Sequence, residues 1–257
     1  MLVCPVDLET VNRCEADALT RVVDLLQRVA PDTQLPNSKW TAHDVGAHLV
    51  SVIGRYLKPD RKLPSSPREV DLVNEQEMTE FADSTMGELV GRVRSRNAKY
   101  LAFWPDLPLD QVLNVRAGIP LDVAALRTNW ITELLVHGRD VAVAVGEPWP
   151  LDDTSCLLGL RLLAFMLPSY LRPGGQSDDR LVMAPNGGSP FSLLIKGSTA
   201  EMQPGSVAEA DQLTGSPSGL MLLLYGRISL TEAIASGVHV VGEPDRVDRI
   251  LYRYEKP

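Results

Sequence analysis

The chain has 257 residues with 44% apolar and 23% charged side chains, the composition of a soluble globular protein of one large or two ordinary domains. A formal net charge of −8 argues against nucleic acid or an anionic membrane as main partner. The densest basic patch, Arg92–Arg96, reads as a solvated helix face. The N-terminus MLVCPVDLET has neither a basic nor an apolar signal region, and no apolar run spans a bilayer, so a cytoplasmic location is expected. Cys4, Cys14 and Cys156 form no metal or redox motif and read as ordinary reduced thiols.

The first half has helical periodicity. Leu8–Val29 places Val11, Leu19, Val22, Val23, Leu25 and Leu26 at helical spacing after a plausible N-cap, Asp7. Residues Ala30–Lys39 (APDTQLPNSK) form a loop. Thr41 with Asp44 three residues on is a capping-box variant opening a second helix that ends near Leu57, before Pro59. A third helical region covers Arg68–Phe103 in two pieces, with Ser84 as the second N-cap. Trp104–Pro120, with three prolines, is expected to be loop. A long helix from Leu121 to Val145 is closed by Gly146, Pro148 and Pro150. Four such helices joined by loops predict an antiparallel four-helix bundle over residues 1–148.

The second half changes character. A helix over Asp153–Leu171 stops at Arg172-Pro173-Gly174-Gly175. Strands are expected at Arg180–Ala184, Phe191–Lys196 and Ser206–Leu213, and helices at Gly219–Tyr225, Leu230–Ala235 and Pro244–Tyr252. His239 falls in a further strand and reads as structural. The pattern predicts a smaller α+β domain over residues 151–257.

Chemistry is concentrated in the helical half. Glu133 and His137 stand one turn apart on a packing face of the fourth helix, where an unpaired charge is costly. Either they form a self-satisfied hydrogen-bonded pair, with Arg127 or Arg55 nearby, or they contribute an oxygen and a nitrogen ligand to a metal. His48, beside Val45, Val52 and Tyr56, also points inward and would complete a His₂Glu set with one position open, as in catalytic zinc. Asp44 and Asp140 are each a candidate to orient an imidazole, or a plain helix-terminus residue. His43 projects to the other side and reads as a surface residue. No dinucleotide fingerprint, Walker A, nucleophile elbow or H-E-x-x-H is present.

The segment Trp40–Leu49 resembles the W-x-x-x-D-V-x-x-H-L signature of the mycothiol-dependent maleylpyruvate isomerase family, within the DinB-like metal-binding four-helix superfamily. Glu133–Asp140 is similar to its second signature, E-x-x-x-H-x-x-D, with Ala142–Gly146 following as A-x-x-x-G. Leu222–Arg227 and Val240–Glu243 are similar to the family's sterol-carrier-like C-terminal domain. The resemblance implies His48, Glu133 and His137 as ligands of zinc or another divalent metal. It further implies mycothiol, a low-molecular-weight thiol, as cosubstrate, a small electrophilic substrate, and Arg227 as a catalytic residue. Arg227 would stand at the rim of a cleft beside the metal; the plainer reading makes it a solvated residue after a helix. Isomerases, thiol transferases and non-catalytic metal- or apolar-ligand-binding proteins all remain open.

Overall fold

The computed structural model describes residues 3–57, 67–103, 107–116, 119–172 and 178–254, and the chain divides into two compact units, Leu8–Pro150 and Met1–Asp7 with Leu151–Pro257. In the first unit the helices are α1 (Leu8–Arg28), α2 (Ala42–Tyr56), α3 (Pro67–Met78), α4 (Met86–Phe103) and α5 (Val123–Ala144). A short 3₁₀ turn, Thr79–Phe81, continues α3. The bundle is formed by α1, α2, α4 and α5, and α3 packs on α2. Its core includes Val22, Leu25 and Leu26 of α1, Leu49 and Ile53 of α2, Leu89 and Tyr100 of α4, and Leu126, Trp130 and Leu134 of α5. α5 is buried on nearly every side from Val123 to Gly138, as expected of the most central helix rather than of one with a solvated face.

Local chemistry explains the helix starts. Thr41 and Asp44 form a full capping box, each side chain accepting the other's backbone N–H. The cap of α4 is Thr85 rather than Ser84: Thr85 Oγ1 accepts from Glu88 N–H, and Glu88 Oε2 accepts from Thr85 N–H at 2.7 Å. The carbonyl of Ser84 instead accepts from His43 Nε2 at 2.8 Å, so His43 is a half-buried tie between α2 and the α4 start, not a surface residue.

The expected loop before α5 is partly wrong. Val112–Arg116 (β1) and Ile119–Asp122 (β2) form an antiparallel ribbon, so the first half is not purely helical. Ile119 and Leu121 are buried and Pro120 is exposed, the alternation of a half-buried strand. In a two-stranded ribbon every strand is an edge, which is where a proline is tolerated. Asp122 ends the ribbon and caps α5, its Oδ1 accepting from Ala125 N–H at 2.7 Å. The helix therefore starts at Val123, not Leu121.

The second unit opens with α6 (Asp153–Met166), followed by a 3₁₀ turn at Leu167–Tyr170 around Pro168. Its sheet runs β5-β4-β3-β6-β7, with β3 (Asp178–Pro185), β4 (Phe191–Lys196), β5 (Thr199–Pro204), β6 (Asp211–Gly215) and β7 (Val238–Val241). Among the described residues of this sheet, only β3 and β6 pair in parallel. Leu181, Val182 and Met183 are buried in succession, so both faces of β3 are covered. The helices α7 (Pro217–Leu224) and α9 (Pro244–Tyr252) pack on β3 and β6, and α8 (Leu230–Ala235) packs on α7 and β7. The strand expected over Ser206–Leu213 begins only at Asp211, and β5 precedes it where no strand was expected. β5 reads TAEMQP and is half to fully exposed, an edge held by its hairpin with β4 rather than by apolar alternation. Arg246 grips the buried Asp211 through two nitrogens and ties α9 to β6. Residues after Met1 and Leu2 also pack here: Ser189 N–H donates to Val3 O at 2.6 Å. No described helix is long and apolar enough to cross a membrane.

Candidate metal centre

Three side chains meet between α2 and α5. His48 Nε2 stands 3.1 Å from Glu133 Oε2, and His137 Nε2 stands 3.3 Å from the same oxygen. One ligand atom from each lies within 4.8 Å of the others, and the two imidazole centroids are 4.7 Å apart. The pairing follows from helix geometry. Glu133 and His137 are stacked at i and i+4 on α5, and the turn of α2 bearing His48 faces them.

The aromatic wall is Trp40, whose ring centroid lies 4.9 Å from that of His48 and 5.6 Å from that of His137. Backbone ties hold it in place: Leu35 N–H donates to Trp40 O at 3.0 Å, and Trp40 N–H donates to Ser38 Oγ at 3.0 Å. The tryptophan opening the first signature is thus part of the site, which reasoning about ligand types alone overlooked.

Asp44 and Asp140 part company. Asp44 Oδ2 accepts the Thr41 N–H at 2.8 Å and the Thr41 hydroxyl at 2.9 Å, so it serves the α2 cap. His48 Nδ1 has no hydrogen-bond partner among the described residues. Asp140 Oδ2 lies 3.5 Å from His137 Nδ1, an ion-pair distance at which its charge acts on that ring. Arg55 lies near enough for its charge to act on His48, while both arginines hydrogen-bond other carboxylates. Arg55 Nε pairs with Glu77 Oε2 at 2.7 Å, and Arg127 Nη2 with Glu15 Oε2 at 3.0 Å.

Electrostatics favour a ligand-like ionisation state. Burial drives the His48 pKa from 6.5 down to about 4, so the imidazole is neutral at pH 7. Burial also opposes charge on Glu133, but hydrogen bonds from His137 and His48 outweigh it and hold its pKa well below the usual carboxylate value. Two imidazoles and one carboxylate are the donor set of a borderline-soft divalent ion. A tetrahedral ion with bonds of about 2.0–2.1 Å spaces its ligands roughly 3.3 Å apart, and the two nitrogen–oxygen distances match that spacing. The residues fit the group.

Arg227 follows α7 in the second unit and is half-buried. Its N–H donates to Leu222 O at 2.8 Å and its Nη1 to Tyr225 O at 3.0 Å. His239 is exposed on β7, in register with Thr214. All three cysteines are buried thiols outside any described disulfide, and burial pushes Cys4 up to about 11, which leaves it a poor nucleophile at neutral pH.

The chain resembles known proteins at two levels. Over nearly its whole length it matches the crystal structure of the mycothiol-dependent maleylpyruvate isomerase, with a TM-score of 0.57, 16% identity, and 93% of this chain and 96% of that one covered. A histidine-to-alanine mutant of that isomerase matches with a TM-score of 0.56, the same identity and the same coverage. At that identity the likeness is one of fold. No curated protein sequence matches the chain. Residues 12–142, just over half the chain, match the family described as the mycothiol maleylpyruvate isomerase N-terminal domain, and the triad falls within them. On that match the chain belongs to the mycothiol maleylpyruvate isomerase N-terminal domain family.

Proposed function

We propose that the protein is a divalent-metal enzyme, with zinc at His48, Glu133 and His137, that uses mycothiol to isomerise a small electrophile or to transfer the thiol onto it. The observation that carries this reading is the convergence of two imidazoles and one carboxylate on a single point inside a bundle of this family. Such a bound ion would supply the positive charge that keeps a thiol ionised at neutral pH. The protein's own residues do the rest. His48, Glu133 and His137 already converge on one point, and an ion would replace the hydrogen bonds that the two imidazoles donate to Glu133. With an ion in place of the Glu133 contact, the Asp140 carboxylate 3.5 Å from His137 Nδ1 favours the proton on that nitrogen and leaves Nε2 for the metal. The Trp40 ring covers the two imidazoles and keeps bulk water from their faces.

The chemistry is nucleophilic. A thiolate sulfur adds to an electron-poor carbon of the substrate. Loss of the same sulfur after bond rotation gives isomerisation, and retention of the new C–S bond gives transfer. Arg227 is assigned to a substrate carboxylate, since a guanidinium fork binds that group through two parallel hydrogen bonds.

The test begins with metal analysis of untagged protein, then an electrophile screen with and without mycothiol. About one equivalent of metal is expected, with loss of stoichiometric metal in His137→Ala and retention in Arg227→Lys. Turnover should need thiol and metal together and should drop at least tenfold in Arg227→Lys, because lysine keeps the charge and loses the fork. A full equivalent retained by His137→Ala moves the ligands elsewhere. Metal bound without any thiol-dependent turnover leaves a non-catalytic metal-binding protein. Absence of metal leaves Glu133 as the shared acceptor of a self-satisfied polar core.

A further inference from the structure

The two imidazoles of the triad differ in what stands behind them. Both turn Nε2 towards Glu133 Oε2, His48 at 3.1 Å and His137 at 3.3 Å. An imidazole that gives its Nε2 lone pair to an ion must carry its proton on Nδ1. The surroundings of Nδ1 therefore set how strong a ligand it is.

His48 is 3% exposed, and its Nδ1 has no hydrogen-bond partner among the described residues. The carboxylate one turn before it on α2, Asp44, is committed to Thr41 in the helix cap. The Trp40 ring, 4.9 Å away, offers an N–H donor and no acceptor. Arg55, further along α2, adds positive charge within reach of His48, partly offset by Glu77 Oε2 at 2.7 Å from its Nε. A proton on His48 Nδ1 is thus buried without an acceptor, which is unfavourable. His137 Nδ1 instead faces the Asp140 carboxylate, whose Oδ2 lies 3.5 Å away. At that distance the effect is one of charge, not of a hydrogen bond. It favours a proton on Nδ1 and makes Nε2 the stronger donor.

Resting on the metal reading above, we propose that His48 is the labile ligand of the centre, with Glu133 and His137 as its anchor. α5 then keeps the ion when α2 lets go, which frees a second position beside Glu133 and His137. The ligand class this admits is two-pronged, a sulfur together with a neighbouring carboxylate or carbonyl oxygen.

Cobalt(II) is the probe, because it shifts the proton signals of bound imidazoles far from the rest of the ¹H spectrum. The cobalt-loaded full chain should show two exchangeable imidazole N–H signals, one of them absent from His48→Ala. Asp140→Asn should move the other and so assigns the pair independently, even if His48→Ala fails to fold. Mercaptoacetate, a thiol and a carboxylate in one molecule, should remove the His48 signal from wild-type protein and leave that of His137. In competition with a chelating indicator, cobalt affinity should fall at least tenfold further in His137→Ala than in His48→Ala, and about tenfold in Asp140→Asn. Retention of both signals with mercaptoacetate bound, loss of the His137 signal first, equal losses in the two alanine variants, or an unaffected Asp140→Asn would each overturn the proposal and leave the metal reading standing. Failure of wild-type protein to bind cobalt overturns the metal reading itself, and the proposal with it.

Discussion

His48 couples protein stability to pH in a defined direction. Its pKa is 6.5 in the unfolded chain and about 4 in the folded one, so between those values the unfolded state binds more protons. Stability is therefore complete above pH 6.5 and falls as pH drops towards 4. The loss from this residue is on the order of 3 kcal/mol once both states are protonated. Glu133 acts in the same direction further down: its folded pKa is depressed, so its contribution is lost as pH falls below the unfolded value of 4.5. Urea unfolding of metal-free protein at pH 7.5, 6 and 5 should show a falling midpoint, and His48→Gln should flatten that dependence between pH 6.5 and 5. An unchanged pH slope in His48→Gln would mean that the imidazole is not desolvated as described.

At the scale of the element, α5 is the backbone of the site and is located by contacts at both ends. Asp122 caps its start, and near its end the Trp149 indole donates to Leu135 O at 3.0 Å. Gly138, next to His137, permits that closure. A Cβ added there would stand 2.7 Å from Trp149 Cη2 and 2.7 Å from Val22 Cγ2, far inside van der Waals contact. Gly138→Ala gains helix propensity but forces Trp149 or α1 outward, and overpacking of this kind costs about 1–3 kcal/mol. Chemical denaturation should report a net loss in that range. Weaker metal retention should accompany it, because the displaced turn carries His137. A stabilised variant would show that the Trp149 lid is soft.

For the whole molecule, the triad and Trp40, Trp130 and Trp149 belong to the unit Leu8–Pro150, and the fourth tryptophan, Trp104, falls within the same stretch of sequence. Tryptophan emission therefore reports that unit alone. If zinc binds its folded form, excess metal stabilises it by RT ln(1 + [Zn]/Kd), about 2.7 kcal/mol at a hundredfold excess over Kd. Thermal melts followed by tryptophan emission should shift upward with zinc and return on chelation. His137→Ala should remove the shift. An equal zinc shift in that variant would place the metal outside the triad.

The helical first half and mixed second half were readable from periodicity and turn residues, because both are local consequences of how side chains alternate along a helix or strand. The ribbon at Val112–Asp122 and the edge strand Thr199–Pro204 were not, since their prolines and polar residues suit a loop equally well until a partner strand supplies the hydrogen bonds. The metal-type residues were legible as residue types at i and i+4 spacing, with His48 joined to them through two signature segments. Only the tertiary structure decided the roles around them. Asp44 closes a helix cap while Asp140 reaches an imidazole, Trp40 covers both rings, and Arg127 serves Glu15 instead of Glu133. The physical reason is distance along the chain: residues 85 positions apart, as His48 and Glu133 are, meet only through helix packing, and no local rule of spacing encodes which buried charge another helix will bring.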